Sequence, residues 1–135
     1  VAQAILESDW GRSCFALERS NYYGIIETDS TEPHMKSQNS NILLKKYKNR
    51  CESVADYIAL LNASSAFVEY RDLRLQQYIT DNVDVFLIIE TLKNYAIDPE
   101  YTEKLRTITL GLFQKYPDIF KSEEIWQYHN NNKAT

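Results

Sequence analysis

The sequence predicts a mainly α domain that carries a small β-hairpin lobe. Three observations lead there. Apolar side chains recur at helical spacing in five stretches, residues 2–10, 54–61, 70–78, 83–93 and 99–116. Between the first two of these, residues 25–48 turn polar and rich in turn formers, with one strand-like run. The chain has 135 residues, 44% apolar and 25% charged, enough for one hydrophobic core. One domain is therefore expected over residues 1–117, followed by a partly disordered C-terminal extension at 118–135.

The elements follow in order. Leu6 and Trp10 stand four apart in the first helix, and Gly11, tolerant of the left-handed conformation, is expected to close it. A short second helix is expected over 13–19, and Asn21-Tyr22-Tyr23-Gly24 reads as a turn into extended chain. The run Asn41-Ile42-Leu43-Leu44-Lys45-Lys46-Tyr47 is the expected strand of a small, mobile hairpin. Ser53 followed by Asp56 resembles a capping box, opening a helix over 54–61 on which Val54, Tyr57, Ile58 and Leu61 keep helical spacing. Asp98 as N-cap and Pro99 at the first helical position open the last long helix, with Tyr101, Leu105, Ile108, Leu112, Phe113 and Tyr116 on one face and Pro117 as its stop. Beyond it, Phe120, Ile125 and Trp126 suggest a short docked segment before the chain fades into Asn130-Asn131-Asn132.

Composition excludes several functions. Nineteen acidic against fifteen basic residues give a net charge of −4, with Lys and Arg scattered, so no basic patch exists to neutralise phosphates and no nucleic-acid partner is expected. The longest aliphatic and aromatic run, residues 85–89, is far below the ~20 residues needed to cross a bilayer, so no stable membrane insertion is expected of this chain. The chain opens without an initiator Met, and residues 1–10 already read as helix, so an upstream segment is expected to have been removed. Cys14 and Cys51 are too few for a disulfide framework or a metal site and read as structural thiols or a single bridge. His34 and His129 lack patterned partners for metal or triad chemistry and read as surface.

Read from the residues alone, Glu7 is a candidate to carry chemistry. It lies in the last turn of an apolar helix, where the negative end of the helix dipole opposes ionisation, beside the apolar wall of Trp10. Such a place suits a carboxyl that must stay protonated, although a Glu on an amphipathic helix is more often solvated surface.

Four motifs, in order, resemble one family. Ala2-Gln3-Ala4-Ile5-Leu6-Glu7-Ser8-Asp9-Trp10-Gly11-Arg12-Ser13 is similar to the signature of the glucosaminidase superfamily, glycoside hydrolase family 73, in which an apolar helix bears Glu-Ser and is followed by Trp-Gly and Ser. That family includes autolysins, flagellum-associated peptidoglycan hydrolases and Bax-type proteins. Asn21-Tyr22-Tyr23-Gly24-Ile25 resembles its Asn-Leu-Phe-Gly-Ile segment. Tyr47 and Ser53-Val54-Ala55-Asp56-Tyr57-Ile58-Ala59-Leu60-Leu61 resemble the helix that follows its hairpin, and Asn94-Tyr95-Ala96-Ile97-Asp98-Pro99-Glu100-Tyr101 its Gly-Tyr-Ala-Thr-Asp-Pro-x-Tyr element. Asp9 stands where a small residue is usual, and Asn94 replaces the glycine.

The resemblance implies a lysozyme-like α domain with a β-hairpin lobe over the active-site cleft. It implies an endo-β-N-acetylglucosaminidase that hydrolyses β-1,4 bonds of peptidoglycan, with Glu7 as general acid. A second carboxylate is expected on the hairpin, with Glu32 of Thr31-Glu32 as the candidate. Glu27, Asp29, or the substrate's own acetamido group in place of any carboxylate remain the alternatives. Asn21, Trp10, Tyr57, Tyr95 and Tyr101 are expected to contact substrate, since a hydroxyl-tipped ring offers a sugar both an apolar face and a hydrogen bond. Tyr57 and Tyr101 also lie on apolar helix faces and fit a core equally well. No metal or organic cofactor is implied. The expected partner is the glycan strand, the expected state a monomer, and the expected place the bacterial periplasm, envelope or exterior. Two rival readings share the fold: a muramidase or lytic transglycosylase, and a non-catalytic wall-binding or partner-binding domain.

Overall fold

The computed structural model describes residues 1–37 and 41–118. The tip of the expected hairpin (38–40) and the expected docked segment with Phe120, Ile125 and Trp126 lie outside the described residues. Internal contacts divide the chain into two compact units, Val1–Asn62 and a second from Ala63 onward.

The first unit contains helices α1 (Ala2–Ser8) and α2 (Cys14–Arg19), strands β1 (His34–Lys36) and β2 (Leu43–Lys45), and helix α3 (Arg50–Ala63), whose last residue crosses the boundary. Helix α1 is closed by Asp9, not Gly11. Asp9, Trp10 and Gly11 take φ values of 49°, 58° and 75° in succession, three left-handed residues of which only the glycine adopts that shape without steric cost. Ser8 explains how the chain tolerates it. Its hydroxyl, on a residue only 1% exposed, donates to Ala4 O and accepts the Gly11 amide at 2.8 Å, while its carbonyl accepts the Ser13 amide. Ser13 then caps α2 by accepting the Ala16 amide.

The strand expected over 41–47 is realised at Leu43–Lys45, paired antiparallel with His34–Lys36 so that Met35 faces Leu44; Ile26 adds an isolated bridge to Leu44. Pro33 directly precedes β1, where a residue without an amide proton costs no ladder bond.

Helix α3 begins four residues before the expected start, because its cap is a different pair. The Asn49 side chain accepts the Glu52 amide and the Glu52 carboxylate accepts the Lys48 amide. Ser53 is instead wholly buried inside the helix, accepting the Tyr22 amide at 3.2 Å, and Asp56 faces the hairpin.

The second unit holds a 3₁₀ turn at Ser65–Phe67 and helices α4 (Val68–Thr80), α5 (Val85–Glu90) and α6 (Tyr101–Lys115). Asp84 caps α5 by accepting two amides, and the helix ends at Glu90, three residues before the expected close. Helix α6 opens at Tyr101 rather than at Pro99: Asp98 accepts the Glu100 amide with its side chain and the Tyr101 amide with its carbonyl, forming a turn ahead of the helix. Its buried face is Tyr101, Leu105, Thr109 and Leu112, whereas Tyr116 is 40% exposed. Phe67, Phe86, Ile89 and Leu92 are buried in the same unit, and Phe86 meets Phe113 edge-on at 6.2 Å with the Arg106 guanidinium over its ring.

Candidate active site

Glu7 sits half-buried in the last turn of α1. Gly24 lies against it: a β-carbon at that position would stand 3.2 Å from Glu7 Oε2, and Gly24 has φ +65°. Glycine is needed here for two reasons at once, a left-handed turn and a close approach of backbone to carboxylate. Gly24→Ala is therefore expected to cost roughly 1–2 kcal/mol from the backbone alone and to push the Glu7 carboxyl aside. A drop in turnover larger than the drop in melting temperature explains would be the sign of that displacement. Unchanged turnover in the folded variant would mean that Glu7 need not sit where it does.

Around this pair the first unit assembles three more side chains. Gln3 lies one turn before Glu7 on α1 and is 5% exposed. The Tyr57 hydroxyl, on α3, donates to Gln3 Oε1. The Tyr57 ring stacks on Tyr23 with centroids 3.9 Å apart and planes 7° from parallel, and Tyr23 immediately precedes Gly24. Burial pushes the Tyr23 phenol above its usual range, so it stays neutral.

A second joint ties the hairpin to α3. Asp56 Oδ2 accepts from Tyr47 Oη at 2.6 Å and from Lys45 Nζ at 2.9 Å. Burial pushes the Asp56 carboxyl up, but these two donors outweigh it and hold the group below the ordinary carboxylate range. Burial, and then donation to Asp56, pushes the Tyr47 phenol far up.

The remaining expected site residues fall in different places. Trp10 is 59% exposed on the left-handed turn, open to a ligand. Glu32 is exposed in the turn before β1; its amide bonds to Asp29 O and its carbonyl contacts His34 Nδ1. Of the alternatives, Glu27 is half-buried beside the ladder, its amide on Leu43 O and its carboxylate accepting the Asp29 amide. Asp29 is occupied by the Thr31 hydroxyl and amide, which hold its carboxyl below the usual range.

Asn21 requires a correction. It is 1% exposed, its amide donates to Ile25 O and Lys45 O, and its oxygen accepts the Ile25 amide. Both amide protons and the oxygen are engaged inside the protein at a position closed to solvent, so it welds the Gly24 turn to β2 instead of meeting a sugar. Tyr101 is corrected likewise: at 3% exposure it is core, stacked at 5.8 Å on Tyr95, which stays half-buried in the second unit. Among the described residues, no group of three or more His, Cys, Asp or Glu is placed to hold a metal ion.

Gln3, Ser8, Tyr23, Gly24 and Asp56 were absent from the expected site. Gln3 and Ser8 carried a usable signal, as polar residues within an otherwise apolar helix. The partners of Asp56 are legible only in three dimensions.

A mainly α fold with a two-stranded hairpin, and a helix-end carboxylate seated against a glycine turn, is the build of the lysozyme-like class. Residues 1–112 match the model of the glucosaminidase family, described as mannosyl-glycoprotein endo-beta-N-acetylglucosaminidase, and the chain belongs to that family. It is similar to exo-glucosaminidase LytG of Bacillus subtilis (strain 168), with 27% identity over 135 residues covering 93% of this chain and 45% of the relative. The chain thus spans less than half the length of that curated relative. Among solved structures it is similar to an N-acetylmuramoyl-L-alanine amidase from Staphylococcus aureus, with TM-score 0.61 and 28% identity, covering 84% of this chain and 34% of that one. A peptidoglycan hydrolase from Sphingomonas sp. A1 shares the fold at TM-score 0.64 and 21% identity, covering 90% and 80% of the two chains. The glycoside hydrolase domain of FlgJ from Salmonella typhimurium shares it at 0.58 and 22%, covering 97% and 81%.

Proposed function

We propose that this chain hydrolyses the β-1,4 bond after N-acetylglucosamine in peptidoglycan, acting as a monomer on glycan strands in the bacterial envelope or outside the cell. The observation that carries the reading is the seat of Glu7: a half-buried carboxyl at the end of α1, against a turn whose glycine leaves room for it. Glu7 protonates the glycosidic oxygen as the bond to the anomeric carbon breaks, and positive charge develops on the sugar ring. A second group must then steady the oxocarbenium ion or activate water. Glu32 is assigned that role, with Glu27, Asp29 and the substrate's acetamido oxygen as alternatives. Trp10, 59% exposed in the same unit as Glu7, serves as a sugar contact.

Digestion of purified sacculi tests this. Turbidity should fall and the products should end in reducing N-acetylglucosamine. Anhydro-muramyl ends would replace the hydrolase by a transglycosylase, and intact sacculi would leave a binding domain. The exo-acting name of the Bacillus relative favours a second reading, removal of saccharides from strand ends. Endo cleavage shortens all strands together, whereas exo cleavage leaves long strands beside small products.

A further inference from the structure

We propose that Tyr57 is a positioning residue for the Glu7 carboxyl: its hydroxyl, bonded to Gln3, and its ring, stacked on Tyr23, brace the two pieces of backbone between which that carboxyl sits. The inference rests on the reading of Glu7 as the acid, and it gives Tyr57 a task different from the sugar contact expected of it.

Helix α1 has seven residues and no side-chain cap at its start. So short a helix is unstable alone and depends on tertiary contacts for its placement. Gln3 is one turn from Glu7, so both side chains leave the same face of α1, and what fixes Gln3 fixes the direction of Glu7. Tyr57 supplies that fixation from near the middle of α3, a fourteen-residue helix capped at its start. The other end of the brace is Tyr23, 7% exposed, adjacent to the glycine whose missing β-carbon would stand 3.2 Å from Glu7 Oε2. One side chain therefore holds both walls of the acid's seat. A sugar-binding tyrosine needs an open ring face and an available hydroxyl proton. Here the proton is given to Gln3, and one ring face is covered by Tyr23.

The test uses Tyr57→Phe, which keeps the stack and loses the bond, and Gln3→Met, which removes the same bond from its other end. Each is assayed below its melting temperature on a soluble glycan oligosaccharide. Since a displacement near 1 Å costs up to about 100-fold in rate, kcat should fall about 10- to 100-fold in both variants while KM stays within about twofold. A raised KM with kcat retained would make Tyr57 a substrate contact and overturn the proposal. A lowered melting temperature with both constants unchanged would also overturn it, by leaving only a structural role. A readout free of activity keeps this separate from the acid assignment: the Glu7 side-chain carboxyl ¹³C resonance, identified by its loss in Glu7→Gln. It should shift in Tyr57→Phe and in Gln3→Met. A resonance that stays in place refutes the brace even where Glu7→Gln itself proves active and the assignment of the acid falls.

Discussion

Glu7→Gln is expected to abolish glycan cleavage while leaving the fold intact. The substitution preserves the shape of the side chain against Gly24 and removes only the transferable proton. General acid assistance is worth ~10²–10⁴-fold in rate, a barrier change of roughly 3–5 kcal/mol. Loss of stability could imitate that only by unfolding most of the protein, so melting temperatures measured beside turnover on the same sacculi separate the two causes. Substrate binding should persist, because the contact assigned to Trp10 is untouched. A well-folded Glu7→Gln protein that still cleaves within a few-fold of wild type would end the proposed mechanism.

Asn21→Ala is expected to produce the largest loss of stability in the first unit. Its amide links three backbone groups, the Ile25 amide, the Ile25 carbonyl and the Lys45 carbonyl, at a position 1% exposed. The Ile25 carbonyl keeps a second bond from the Lys45 amide, but the Ile25 amide is left without the acceptor it has here. An unmet buried donor, the lost bonds and the cavity together cost roughly 3–4 kcal/mol. For a chain of this size that is a fall of about 10–15 °C in melting temperature. Asn21→Asp should give no rescue, since it keeps the acceptor but sets a negative charge beside two carbonyl oxygens. Thermal unfolding followed by circular dichroism reads both variants. A raised KM with an unaltered melting temperature would restore Asn21 to the substrate site.

These two residues mark how far the site could be read from the sequence. Glu7 could be singled out because its signal is local: a carboxylate at the end of an apolar helix, in a motif of a dozen consecutive residues. Asn21 was noticed for the same reason, as part of a motif, but its role was misassigned. A residue type says that a side chain can bond, and only the fold says what stands within reach. The capping pair of α3 shows the same division at shorter range. Ser53 and Asp56 have the right spacing, yet Asn49 and Glu52 take the task, because Ser53 is drawn to the Tyr22 amide and Asp56 to Lys45 and Tyr47.

What the sequence by itself determined is therefore the set of elements, together with the motif that makes Glu7 the candidate acid. Helical periodicity, the Gly24 turn and the polar stretch holding the hairpin depend on neighbours within a few residues, and such interactions are written in order along the chain. Tertiary structure alone decided the joints around Glu7. Gln3 meets Tyr57 across 54 residues, and Asn21 meets Lys45 across 24. Periodicity records which face of a segment is apolar, but a buried polar side chain takes whichever donor or acceptor the topology sets at bonding distance, and nothing local to Gln3 or Asn21 specifies that partner.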